Sequence, residues 1–276
     1  MDFKLGLYEK SMPDTLSLQE KLEASKNAGY DFLELSIDES DARLSRLDWT
    51  QDQRFELVKA MYETGQPIKT ICLSGHRKYP LGSLDEAAIT RSLEIMEKAI
   101  QLACDLGVRI IQIAGYDEYY KPSTEQTRQR FSENLAKSVR IAAQHGVILA
   151  FETMETEFIN TVEKAMIHVN SIDSPYLQVY PDTGNITCAA ADYKTSVIQD
   201  LETGAGHLAA IHLKETLPGI FREVDYGQGH VDFESLIKRG LALGVRLFVA
   251  EFWYDEAKEW RQELTKNREY LMRYFK

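Results

Sequence analysis

Cysteine is scarce in this chain. Its 276 residues include only Cys72, Cys104 and Cys188, set far apart with no C-x-x-C pair. That spacing excludes a disulfide framework and reads as reduced thiols of a cytosolic protein. Long apolar runs are missing as well. None approaches the roughly 20 residues that cross a bilayer, so no membrane partner is expected. Met1-Asp2-Phe3-Lys4 leads almost directly into a strand-like segment, so no signal peptide is expected and the location is read as cytoplasmic. Positive charge is in deficit: 32 Lys and Arg stand against 43 Asp and Glu, a net of −11. A nucleic-acid face needs clustered cations, so nucleic acid is not an expected partner. A small phosphorylated ligand needs only a local positive pocket and is not excluded. Linkers rich in Pro, Gly and Ser are absent too, as are low-complexity segments.

What is present is ordinary for a globular chain, with 44% hydrophobic and 27% charged residues. The informative stretch is Val147-Ile148-Leu149-Ala150-Phe151-Glu152, a branched apolar run that ends abruptly in a carboxylate. It reads as a buried parallel strand, preceded by a helix stop at Gly146. Strands are predicted to begin near residues 4, 32, 68, 109, 147, 177, 208 and 246. Amphipathic segments at 16–28, 52–64, 85–106 and 124–145 read as helices, and a charged helix runs to residue 274. The strand starts are 28 to 41 residues apart, which is the length of a strand plus its returning helix. Eight such units predict an α/β fold, a (β/α)8 TIM barrel, in a single domain over residues 1–276. The runner-up is an open doubly wound sheet, but no Gly-rich phosphate fingerprint follows the first strand.

A barrel keeps its chemistry at the C-terminal ends of its strands. Glu152 closes the fifth strand, Asp182 follows the sixth, His212 lies near the end of the seventh and Glu251 closes the eighth. Taken singly, each has a plain explanation, such as a helix cap, a salt bridge or a core histidine. Together, four ligand-type residues at equivalent positions of successive strands are hard to explain by capping, because a charge there needs a partner. Three carboxylates and an imidazole form a hard set, predicted to bind one divalent metal ion. Mn2+ or Mg2+ is favoured over Zn2+ or Co2+.

Several motifs carry a resemblance across nearly the whole chain. They are Cys72-Leu73-Ser74-Gly75-His76-Arg77, Phe151-Glu152 with Thr156-Glu157-Phe158, and Tyr180-Pro181-Asp182-Thr183-Gly184-Asn185. Ala210-Ile211-His212-Leu213-Lys214, Gly227-Gln228-Gly229-His230-Val231-Asp232-Phe233 and Glu251-Phe252-Trp253 continue the series. The chain resembles the L-ribulose-5-phosphate (L-xylulose-5-phosphate) 3-epimerases of the xylose-isomerase-like barrel superfamily. The resemblance implies that Glu152, Asp182, His212 and Glu251 bind one metal and that the two glutamates also move the proton through a cis-enediolate. It implies a place in L-ascorbate catabolism and a sugar phosphate as the partner. The chemistry is consistent with that role: inverting C3 of a ketose needs an acid and a base on opposite faces, and a cation to stabilise developing charge.

Further substrate-binding candidates surround this set. Ser74, His76, Arg77 and Lys78 follow the third strand and place cations at the mouth of an acidic barrel, with the planar fork of Arg77 suited to phosphate. Arg222 is a second gripping cation, Lys214 sits two residues past His212, and Glu157 can meet a sugar hydroxyl. Trp253 can wall the sugar face. The terminal helix has an apolar stripe suited to a neighbouring subunit, and a homo-oligomer, dimer or tetramer, is expected. Alternative readings are an aldose–ketose isomerase or an epimerase of unphosphorylated ketoses. An abasic-site endonuclease and a non-catalytic sugar-binding barrel are more distant.

Overall fold

The computed structural model describes residues 3–276. Among them, eight strands form one parallel sheet: β1 (Lys4–Tyr8), β2 (Phe32–Ile37), β3 (Ile68–Leu73), β4 (Ile110–Ala114), β5 (Ile148–Glu152), β6 (Leu177–Tyr180), β7 (Ile211–Leu213) and β8 (Leu247–Ala250). They are hydrogen-bonded in the order β6-β5-β4-β3-β2-β1-β8-β7. The two ends meet only through the isolated bridges Val179–Leu208 and Asp182–His212, so the barrel is nearly closed, with one thin seam. The seam explains why β7 is shorter than the apolar run 208–213 suggests. Leu208 contributes a bridge to Val179, and a ladder begins only at Ile211, where β8 supplies the partner.

The chain returns through α1 (Leu18–Asn27), α2 (Asp41–Leu44), α3 (Gln51–Thr64), α4 (Glu86–Leu106), α5 (Glu125–His145), α6 (Val162–Ile172), α7 (Thr183–Tyr193), α8 (Val197–Thr203), α9 (Phe233–Ala242) and α10 (Trp260–Met272). Local chemistry sets their ends. Ser17 and Thr50 open α1 and α3 in capping boxes with Glu20 and Gln53. The stop expected before β5 is real: Gly146 takes a left-handed φ of 65°, which glycine adopts without a Cβ clash. Among the described residues, no helix is long and apolar enough to cross a membrane.

Strand parity divides the core in two. Leu33, Leu35 and Ile37 of β2 join the core cluster that contains Leu22 of α1 and Ile95 of α4. The alternate residues turn inward, where Tyr8, Phe32, Cys72, Ala150, Tyr180, Ala210 and Val249 form a separate cluster inside the barrel. Phe32 fills the space opposite Gly6, where a Cβ would come within 2.3 Å of its ring. The same parity carries the polar residues Glu34, Thr70, Gln112, Glu152 and His212 into the barrel.

Candidate active site

Four strand ends converge. Glu152 is the last residue of β5, Asp182 caps α7 just past β6, His212 is the middle residue of β7, and Glu251 follows β8. Each offers one ligand atom, and these atoms all lie within 4.8 Å of one another. Asp182 and His212 are fully buried, whereas Glu152 and Glu251 each keep 6% exposure.

The oxygens are used unevenly. Asp182 Oδ1 accepts from the Asn185 amide at 2.7 Å and pairs with Lys214 Nζ at 3.0 Å. The helix-cap explanation of this aspartate therefore holds for one oxygen. The other, Oδ2, is buried without a hydrogen-bond partner. Glu251 Oε2 lies 2.8 Å from His212 Nδ1 yet makes no hydrogen bond, so the two approach without donor–acceptor alignment. Glu152 Oε1 lies 3.4 Å from the same nitrogen, and its Oε2 accepts from the Gln112 side-chain amide. Buried acceptors left without partners are costly unless a cation supplies one. These residues fit a divalent metal ion: unpaired oxygens from Asp182 and Glu251, a third carboxylate, and one imidazole nitrogen aimed at them.

Charge in the metal-free cluster is out of balance. Burial raises the Asp182 carboxyl to about 7 against the pull of Lys214, with Glu251 and Glu152 adding repulsion. Burial acts on Glu251 too, but Lys214 and His212 outweigh it and hold that carboxyl at about 2. His212 rises well above the usual imidazole range despite its burial, because Glu34 and Glu251 favour the charged ring. Lys214 is likewise held charged by Asp182, Glu251 and Glu152 in spite of its burial. The cluster draws positive charge toward itself.

A cavity opens over the two glutamates, with Ser74, Arg77, Lys214, Arg222 and Trp253 in its lining. Arg77 lies over the Tyr119 ring at 4.4 Å. Arg222 lies 5.9 Å from the Trp253 ring centre and 3.5 Å from Glu155. Three expected residues are not brought to this cavity. Residues Gly75–Arg77 form a 3-10 turn, which turns successive side chains by about 120°. Arg77 therefore faces the cavity while His76 turns into the core, 3.1 Å from the Ser92 carbonyl of α4, and burial lowers it to about 4. Lys78 lies 3.5 Å from Asp41 with its side chain 47% exposed. Glu157 opens a second 3-10 turn whose Ile159 is buried, and it lines a separate hollow with Phe158 and Lys164.

The structure adds residues that the sequence reading passed over. Lys10 and Tyr8 line the cavity, Gln112 holds Glu152, and Glu34 meets His212 from behind. A detectable signal was present for two of them. Glu34 and Gln112 stand at inward parity in mostly apolar strands, and a buried polar residue is more informative than an exposed one.

Comparison with known proteins agrees with this fold. The sequence profile of the family described as xylose isomerase-like TIM barrel matches residues 22–274. The L-ribulose-5-phosphate 3-epimerase UlaE of Escherichia coli O139:H28 is 42% identical over 270 residues, covering 97% of this chain and 93% of that protein. Among solved structures, one of L-ribulose 3-epimerase superposes with a TM-score of 0.75 at 19% identity, covering 99% of this chain and 96% of the other. The IOLI protein with a binding zinc atom superposes with a TM-score of 0.78 at 19% identity, covering 99% of each chain. At those identities the superpositions speak for the fold.

Proposed function

The chain belongs to the xylose isomerase-like TIM-barrel family, and from that premise we propose that it is a metal-dependent 3-epimerase of a ketopentose 5-phosphate. The substrate pair of this reading is L-ribulose 5-phosphate and L-xylulose 5-phosphate, after the sugar phosphate in the name of its 42% identical relative.

One observation carries the chemistry. Within the cluster, Glu152 and Glu251 line the cavity and keep 6% exposure each, while Asp182 and His212 have none. The two accessible carboxylates come from β5 and β8, three strands apart around the ring, and so reach a bound ketose from different sides. In this reading one takes the proton from C3 and the other delivers one to the opposite face. The inaccessible pair, Asp182 and His212, completes the metal ligand set. A bound divalent cation, with Mn2+ or Mg2+ suited to so oxygen-rich a set, supplies stabilisation of the negative charge that develops beside C2. Gln112 holds one oxygen of Glu152 in place. Lys214, fixed between Asp182 and Asn185 Oδ1 at 2.9 Å, keeps a positive charge beside the cluster. Tyr8 and Trp253 narrow the cavity against water, and Lys10, Arg77 and Arg222 set three cations in its lining for the phosphate end.

The test is an incubation of the metal-loaded protein in D2O with L-ribulose 5-phosphate, and in parallel with free L-ribulose, read by NMR. The expected product is L-xylulose 5-phosphate carrying deuterium at C3, formed faster than the unphosphorylated epimer. Absence of both epimer and C3 exchange removes the reading. Equal rates on the free sugar would move it to unphosphorylated ketoses, and an aldose product would move it to an isomerase.

A further inference from the structure

Behind the metal-ligand set lies a carboxylate that does not line the cavity and meets the cluster only through His212. Glu34 sits in the middle of β2 with no exposed surface. Its Oε1 is 2.6 Å from His212 Nε2, across the barrel on β7. Its Oε2 accepts from Thr70 Oγ1 at 2.7 Å and from the Tyr180 hydroxyl at 3.0 Å. Residues of β2, β3, β6 and β7 therefore converge on one carboxylate in the barrel interior. Tyr180 also sets its ring edge-on to the imidazole, with centroids 4.8 Å apart.

This geometry settles how the histidine is held. A carboxylate with two other donors already on it is an acceptor, so Nε2 carries the hydrogen toward Glu34. The opposite nitrogen, Nδ1, is the one that faces Glu251 at 2.8 Å and Glu152 at 3.4 Å. We propose that Glu34 is the positioning residue of the metal site: it fixes His212 as an Nδ1 ligand and, through its negative charge, makes that nitrogen a stronger donor. Thr70 and Tyr180 in turn hold the carboxylate, so the imidazole plane is set by three strands other than its own. The inference rests on the metal-site reading above and concerns affinity rather than turnover. Metal-bound histidines commonly donate their second N–H to such a partner, and loss of the partner typically weakens binding 10- to 100-fold.

The Glu34→Gln variant keeps the size and one carbonyl acceptor while removing the charge. Wild type and variant are each titrated with Zn2+ and Mn2+ against a competing chelator, and each is checked for folding by its thermal melt. The expected result is an unchanged melt of the metal-free protein and metal binding weaker by about 10- to 100-fold in the variant. The second readout needs no variant. In the zinc-loaded wild type labelled with 15N-histidine, the His212 signals should show a protonated Nε2 and a metal-shifted Nδ1. A zinc-shifted Nε2 overturns the proposal whether or not the variant folds. So does equal metal affinity in a folded Glu34→Gln protein. If the wild type binds no metal, the metal-site reading fails and takes this inference with it. If the wild type binds metal while Glu34→Gln binds equally well, only the role of Glu34 is lost.

Discussion

Two buried charge clusters lie near the C-terminal mouth of this barrel, and they are built on opposite principles. One surrounds Glu9, which follows β1 and has no exposed surface. Its Oε1 meets Lys21 Nζ at 3.1 Å and Arg46 at 2.8 Å, and its Oε2 meets Arg46 at 2.6 Å and the Ser36 amide at 2.9 Å. Arg43 stands 2.8 Å away, and Asp14 and Asp38 offset the surplus of cations. Burial acts to raise the Glu9 carboxyl, but Arg46, Lys21 and Arg43 prevail and hold it at about 2. The other cluster gathers Glu152, Asp182 and Glu251 around one imidazole, with Lys214 beside them. It leaves two carboxylate oxygens, Asp182 Oδ2 and Glu251 Oε2, without hydrogen-bond partners, where the Glu9 cluster leaves a donor, Arg43 Nη1, still 2.8 Å from its carboxylate. A cluster that serves structure closes its charge within the chain. A cluster that leaves acceptors unpaired next to a cavity is set up for charge from outside.

The contrast breaks most visibly if each cluster is mutated and both stability and turnover are read. Glu152→Gln and Glu251→Gln should each lower kcat by about 10²- to 10⁴-fold, the range for losing a general acid or base. For Glu152→Gln the metal-free unfolding free energy in urea should hold or rise, since a charge that repels Asp182 is gone. A large loss of stability instead would make this cluster structural. Glu9→Gln should do the reverse. It strands the buried Lys21 and Arg43 and the half-buried Arg46, and should cost about 3–5 kcal/mol of stability with metal affinity unchanged.

Adding metal sharpens the comparison further. At a free concentration a hundredfold above Kd, Mn2+ should stabilise the wild type by about 2.7 kcal/mol. Glu9→Gln should gain the same increment, and His212→Ala far less, as thermal melts with and without chelator would show. The smallest expected effect is a pH dependence. The Glu9 carboxyl titrates at about 2 in the folded chain against an ordinary value of 4.5. A depressed carboxyl contributes fully above the unfolded value, and its contribution fades as pH falls toward the folded one. Between pH 4.5 and 3 the wild type should therefore lose stability faster than Glu9→Gln, by at most about 1.4 kcal/mol per pH unit.

Much of this was legible from the amino acids alone, for identifiable reasons. An apolar run ending in Glu152 or Glu251 announces a strand and the carboxylate at its C-terminal end together, and Gly65, Gly107 and Gly146 mark helix stops that the structure places in the left-handed region. The four cluster residues stood out because each follows the same local pattern. Glu34 did not, since it lies inside a strand and its partner His212 is 178 residues away. The Glu9 network is similarly hidden, because Arg43 and Arg46 come from a short helix and turn after β2 with no regular spacing to Glu9. His76 and Glu157 were expected at the cavity for lack of any signal that their loops tighten into 3-10 turns. Side-chain direction in such turns depends on what packs against them, here the Ser92 carbonyl that takes His76 and the core that takes Ile159 rather than Glu157, and that is a tertiary fact.

The thin seam between β6 and β7 gives Asp182 and His212 a mechanical part. Asp182 and His212 are themselves bridged across it, joined by the His212 amide to the Pro181 carbonyl at 2.9 Å. Everywhere else around the ring, strand neighbours are held by a ladder, so local opening should begin here. A cation that binds both residues would act as a clasp on the weakest closure of the ring. Amide hydrogen exchange should accordingly be fast at Val179, Ala209 and His212 in the metal-free protein and slow there first when metal is added. The barrel would then breathe through the same gap that a bound cation would fasten.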